Sequence, residues 1–268
     1  IHRAYIEAGS QLILTNTFGA NRYKLAEHGL ASQVSEINRA GVALARRVVE
    51  ASFKDVLIGG DVGPLGVRLV PYGRVQRDQA RDVFAEQITA LAEAGVDFLL
   101  IETISDLNEI LQAARAARDV CALPLVASMT FTRDDRTLLG DSPTQVARSL
   151  WEAAFDNARG VDMLGVNCSG GPAQLLRILQ EMHRAVPQAR FWVKPNAGWP
   201  EQVGGRIMYP ATPEYFGDYA MAFMEAGARV IGGCCGTTPA HIAAMRRVLD
   251  SGAPSHGILE QVDSAPGS

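Results

Sequence analysis

The sequence has no apolar run near the roughly 18 residues needed to cross a membrane, and no stripe of lysine or arginine. With 25 basic against 29 acidic side chains, its formal charge is -4. Neither a nucleic acid nor an anionic membrane is therefore an expected partner. The opening Ile1-His2-Arg3 carries no mark of a secretory signal, so the cytoplasm is the expected compartment. Cysteines are scarce, four in 268 residues. Cys121, Cys168, Cys234 and Cys235 are too unevenly spaced for a disulfide framework, and such cysteines more often serve metal binding or catalysis. The dinucleotide fingerprint G-x-G-x-x-G is absent as well, which removes the main signature of an open doubly wound sheet.

What the sequence does have is a large apolar share, 47%, distributed in short runs. The strand candidates are Leu12 to Thr15, Val56 to Asp61, Phe98 to Glu102, Leu125 to Met129, Met163 to Asn167, Phe191 to Lys194 and Val230 to Gly232. They are apolar on both faces, as parallel strands covered by helices must be. Helical stretches lie between them, with start and stop signals. Thr238-Pro239 reads as a cap and first helical position, while Gly95 and Gly227 close helices. Right-handed crossovers join such units into one parallel sheet. Seven strands fall one short of a closed barrel. Ile1 to Gly9 reads as the last turns of a helix, so the expected fold is a (β/α)8 TIM barrel. Its first strand, and much of its first helix, are expected to precede this chain. The barrel is placed at residues 1–250. Residues 251–268, rich in Ser, Gly and Pro, read as a linker or disordered tail.

Two motifs end strands, and in a barrel both lie at the C-terminal rim where active sites are built. One is Gly165-Val166-Asn167-Cys168; the other is Gly232-Gly233-Cys234-Cys235-Gly236. Vicinal side chains on a regular strand point to opposite faces, but flanking glycines allow a turn that brings both sulfurs to one point. Together with Cys168 they make a three-sulfur site, for which zinc is the best-fitting common metal. Three protein ligands leave one position open, the mark of a catalytic rather than a structural site. Cys121, before Ala122-Leu123-Pro124 at the opposite barrel end, reads as core filling.

These motifs resemble the homocysteine S-methyltransferase family. The similarity is carried by Gly233-Cys234-Cys235-Gly236-Thr237-Thr238-Pro239 and Gly165-Val166-Asn167-Cys168-Ser169. Thr15-Asn16-Thr17-Phe18-Gly19, Gly60-Asp61-Val62-Gly63-Pro64 and Glu102-Thr103-Ile104-Ser105-Asp106 match too, in the same order. The resemblance implies a zinc-bearing barrel with Cys168, Cys234 and Cys235 as ligands and homocysteine as substrate. It implies that Glu102 holds the substrate's amino group and that the amide oxygen of Asn196 approaches the metal when substrate is absent. Asn167 is a candidate for orienting a ligand, and Thr15, Asn16 and Asp61 are further substrate-binding candidates at strand ends. The implied reaction is methyl transfer to the homocysteine sulfur, forming methionine. A thiol of pKa about 8.5 is mostly protonated at neutral pH, whereas a metal-bound thiol is a thiolate, so no general base is required. Methyltetrahydrofolate or methylcobalamin, presented by further domains, are the donors this resemblance favours. Two other readings compete. One is a zinc-stapled or thiol-redox module that ignores homocysteine. The other is a Schiff-base lyase using Lys194, for which the sequence offers no evident acid-base partner.

Overall fold

The structure is a computed structural model that describes residues 1–153 and 160–252; the expected tail falls largely outside the described residues. The chain runs α1 (His2–Glu7), β1 (Leu12–Leu14), α2 (Arg22–Ala26), a 3-10 turn (Ala31–Gln33), α3 (Val34–Ser52) and β2 (Leu57–Val62). It continues through α4 (Arg77–Glu93), β3 (Phe98–Ile104), α5 (Leu107–Val120), β4 (Leu125–Met129), α6 (Pro143–Glu152) and β5 (Met163–Asn167). The remainder is α7 (Pro172–Ala185), β6 (Phe191–Lys194), β7 (Glu201–Val203), β8 (Arg206–Met208), α8 (Pro213–Glu225), β9 (Ala228–Ile231) and α9 (Pro239–Ser251).

Seven strands pair in parallel in the order β1-β2-β3-β4-β5-β6-β9, a curled sheet of TIM-barrel type. All seven apolar runs named above are strands, within two residues at either end. Among the described residues no strand pairs with the outer edge of β1 or of β9. Both edges line one cavity of about 590 Å³, closed on its flanks by α1 and α9.

Alternation along the strands sorts the core into two. Leu99 and Ile101 of β3 join the large cluster under the helices. Phe98 and Leu100, on the opposite face, pack inside the sheet's curl with Val126 and Trp192. The next inward positions above this apolar floor are polar: Glu102 on β3, Ser128 on β4, Asn167 on β5 and Lys194 on β6. All four are buried. Helix starts are fixed locally. Asp106 accepts from the Asn108 N–H at 2.8 Å, and Ser142 with Gln145 forms a capping box on α6.

The hairpin β7–β8 is an element the apolar-run pattern does not show. Gly204 and Gly205, at φ of 57° and 78°, form its two-residue turn, a conformation that favours glycine pairs. The loop from Gly63 to Arg77 packs onto the main core. Leu65 and Leu69 are fully buried in the main core, and the Leu65 N–H donates to Glu109 Oε1 at 2.7 Å.

Glu109 makes this clamp sensitive to pH. Burial pushes its carboxyl up to about 7, against the pull of the Leu65 hydrogen bond. Because the folded value is raised, its contribution to stability is complete below about pH 4.5 and is lost as pH rises through 7. A shift of this size corresponds to about 3 kcal/mol. Glu109→Gln keeps the acceptor and removes the charge, so denaturant melts near pH 4 match the parent and at pH 8 the variant is the more stable. Parallel pH–stability curves contradict this.

Candidate metal centre

Strand order explains how three distant cysteines meet. β6 lies between β5 and β9, and its extension past Lys194 serves as a common backbone template. The Cys168 N–H donates to the Lys194 carbonyl at 3.2 Å and the Cys234 N–H to the Pro195 carbonyl at 2.8 Å. The Ala197 N–H in turn donates to the Cys235 carbonyl at 2.8 Å. Asn196 completes the clasp. Its Nδ2 donates to the Cys168 carbonyl at 3.2 Å, and its Oδ1 accepts from the Cys235 N–H at 3.0 Å.

The turn carrying the vicinal pair depends on Gly236, at φ 78°. A Cβ there would lie 2.2 Å from Tyr209 Cγ, so only glycine fits. The three sulfurs lie within 4.8 Å of one another, and Cys168 and Cys235 Sγ are 3.6 Å apart. Two sulfurs at about 2.3 Å from a tetrahedral zinc are about 3.8 Å apart. The donor set and its spacing therefore fit a thiophilic ion with an open fourth position. Mutual hydrogen bonding separates the free thiols in acidity. Cys235, receiving from Cys168 and Cys234, is lowered to about 3, while Cys168, hydrogen-bonded to Cys234 and Cys235, is raised.

Asn167 organises the layer beneath. Its Oδ1 accepts from Ser128 Oγ at 2.7 Å and from the Thr103 N–H at 3.1 Å. Its Nδ2 donates to Thr103 Oγ1 at 2.7 Å and lies 4.0 Å from Cys234 Sγ. Thr103 and Cys168 both have left-handed backbones, with φ of 60° and 56°. That is uncommon for any non-glycine residue and an outlier for a β-branched one. Asn167, attached to Thr103 and preceding Cys168, holds the two strained positions together, and such strain concentrates at functional sites.

The other candidates divide. Glu102 and Asp61 come together in the interior with Lys194, whose Nζ donates to both Glu102 oxygens at 3.0 and 2.8 Å. The partner that the sequence left unseen for Lys194 is thus Glu102. Burial works against the ammonium, but Glu102 and Asp61 outweigh it and hold Lys194 above its ordinary range. Burial, reinforced by Glu102, raises Asp61 well above the usual carboxylate range. Thr15 sits under the backbone, its Oγ1 paired with Thr17 Oγ1 at 2.7 Å and accepting from the Asp61 N–H at 3.0 Å. Asn16 is exposed at the end of β1. His241 caps α9, its Nδ1 accepting from the Thr238 N–H at 3.1 Å, which accounts for its burial without metal ligation. Cys121 packs against the main core.

Tyr209, just after the β7–β8 hairpin, is the site residue that motif reading misses. Its phenol is held above the ordinary range, by desolvation first and then by the charge of the neighbouring Cys235 sulfur. A Gly-Gly pair followed by a tyrosine was the available signal, but nothing in the spacing relates it to the cysteines.

Among the described residues no helix is long and apolar enough to cross a membrane. The family model for homocysteine S-methyltransferase matches residues 1–249. Methionine synthase of Mycobacterium tuberculosis (strain ATCC 25618 / H37Rv) is 32% identical over 253 residues, covering 90% of this chain and 20% of that protein. The methionine synthase of Mycobacterium leprae (strain TN) is also 32% identical, over 95% of this chain and 22% of its own length. The chain thus spans about a fifth of the length of these curated relatives. Among solved structures, the metallated form of the homocysteine methyltransferase MmuM from Escherichia coli is similar, with a TM-score of 0.76 and 27% identity. That likeness covers 92% of this chain and 82% of that one. With the family match running through every strand and all three clustered cysteines, the chain belongs to the homocysteine S-methyltransferase family.

Proposed function

We propose that this chain binds homocysteine and presents its sulfur for methylation, forming methionine, with zinc held by Cys168, Cys234 and Cys235. The observation that carries this reading is the convergence of three thiols from two strand ends directly above a buried polar layer. Zinc bound there would keep a fourth, substrate thiol in its thiolate form at neutral pH. The chain's own groups supply the rest. Asn167 and Asn196 fix the cysteine-bearing backbones, so little reorganisation is needed when the sulfur arrives. The Asp61, Glu102 and Lys194 layer receives the polar end of the substrate and orients its sulfur toward the rim, since displacement at a methyl group depends on alignment. Reduced thiols suit the cytoplasm.

The methyl donor is proposed to be methyltetrahydrofolate or methylcobalamin, presented by further domains. We also propose that an eighth strand completes the barrel in the cavity between β1 and β9. Two observations weigh against the competing readings. A structural staple has no use for an open ligand position. A Schiff base needs a neutral amine, whereas Lys194 is ion-paired and buried. The deciding experiment asks whether L-homocysteine enters the zinc coordination shell.

A further inference from the structure

A second cavity, of about 640 Å³, opens between the N-terminal turns of α7 and α8, outside the cysteine cluster. Arg133 and Arg177 are its cations, and no acid is among the described residues that line it. Asp135 offsets Arg177 at 3.2 Å. Arg133 has no carboxylate partner among the described residues, and its guanidinium is held 4.5 Å over the Trp199 ring. Gly171 begins α7, and no side chain caps that helix's first N–H groups, which therefore add to the positive potential. Gln174, in the first turn of α7, is 7% exposed. Its Nε2 donates to the Thr132 carbonyl at 2.7 Å and to Asp135 Oδ1 at 2.8 Å. Both contacts fix the amide and leave Oε1 buried without a partner. A Cβ at Gly170 would lie 2.2 Å from that oxygen, so the glycine keeps the space beside it open. A buried acceptor left without a donor is costly, and here it stands in a cleft of uncompensated positive charge.

We propose that this cleft is a second ligand site, for a small carboxylate that carries an N–H beside it, the class of N-acyl amino acids. The carboxylate is held by Arg133 and the α7 N-terminus, while the N–H donates to Gln174 Oε1. The acyl group lies against Trp199 and Tyr215, which also line the cleft. The volume suits a small molecule. The site lies behind the metal centre and shares its supports. Asn196, which holds the cysteine-bearing backbones, donates its N–H to the Gly170 carbonyl at 2.8 Å. This inference does not depend on homocysteine being the substrate.

The test is calorimetric titration of the full chain with N-benzoylglycine, whose amide N–H adjoins a carboxylate, and with two analogues. One is 3-benzoylpropionate, in which a methylene replaces the N–H; the other is N-benzoylglycinamide, in which a neutral amide replaces the carboxylate. Each analogue binds at least about tenfold more weakly, the usual loss for a charge-assisted hydrogen bond or for a buried acceptor left unpaired. Arg133→Gln weakens N-benzoylglycine by about the same factor, whereas Cys234→Ala leaves its binding unchanged. Arg177→Gln is the second variant should Arg133→Gln fail to fold. No binding of N-benzoylglycine, or equal binding of all three compounds, overturns the proposal. So does binding that survives Arg133→Gln and is lost in Cys234→Ala, which places the carboxylate on the metal instead.

Discussion

Replacing Cys234 with alanine is expected to abolish the proposed methyl transfer and to lower the apparent zinc affinity by about a thousandfold at pH 7. The size follows from dividing a zinc-site binding free energy of about 10–16 kcal/mol among its ligands, roughly 4 kcal/mol each. Cys168→Ala and Cys235→Ala have the same consequence, because the three sulfurs within 4.8 Å act as one site. The fold survives each change. Cys234 and Cys235 sit in a rim turn fixed by backbone hydrogen bonds to Pro195 and Ala197, and neither belongs to a core cluster. Cys121→Ala is the control, since that sulfur packs at the opposite end of the barrel. A chelator-competition titration measures all four. Retention of full affinity in any of the three site variants contradicts the assignment.

Lys194→Met is expected to cause the largest loss of stability, about 3–5 kcal/mol near pH 8, the usual consequence of removing one partner from a buried ion pair. The methionine fills the space but leaves Glu102 and Asp61 side by side, both at least nine-tenths buried, with no cation between them. The loss depends on pH in a defined direction. Asp61 is already held well above the ordinary carboxylate range by burial, and Lys194 is the cation that pulls it down, so without Lys194 it stands higher still in the folded state. Its stabilisation is then complete below its unfolded value near 4 and disappears as pH rises through the raised one. The variant therefore approaches the parent near pH 4–5 and falls away above it. Adding Glu102→Gln to Lys194→Met recovers much of the difference at pH 8. A small, pH-independent effect of Lys194→Met shows that the pair is not the counter-charge described here.

The barrel strands are legible in the sequence because burial on both faces writes them as unbroken apolar runs. Phe98 to Ile101 and Leu125 to Met129 need no partner to be recognised. The hairpin Glu201–Val203 and Arg206–Met208 escapes that logic: it is wholly exposed and its strands are three residues each of mixed polarity, leaving Gly204-Gly205 as its only trace. The cysteine cluster is legible because glycines flank the vicinal pair and because both motifs end strands. The ion pair between Glu102 and Lys194 is not, since 92 residues separate them and only the register of β3 and β6 in a curled sheet makes them neighbours. A period-two reading of β6 does place Trp192, Lys194 and Asn196 on one face, but it cannot name what they face. The left-handed backbones of Thr103 and Cys168 are equally invisible, because neither residue type favours that conformation. They exist because the Asn167 side chain fastens one and precedes the other.

The central claim is that homocysteine sulfur joins the three cysteines on one zinc ion. Zinc-edge X-ray absorption, recorded with and without L-homocysteine, tests it most directly. The expected result is three sulfurs at about 2.3 Å, rising to four when homocysteine is added. A shell that ignores homocysteine, or a protein that binds no zinc at these cysteines, contradicts the claim.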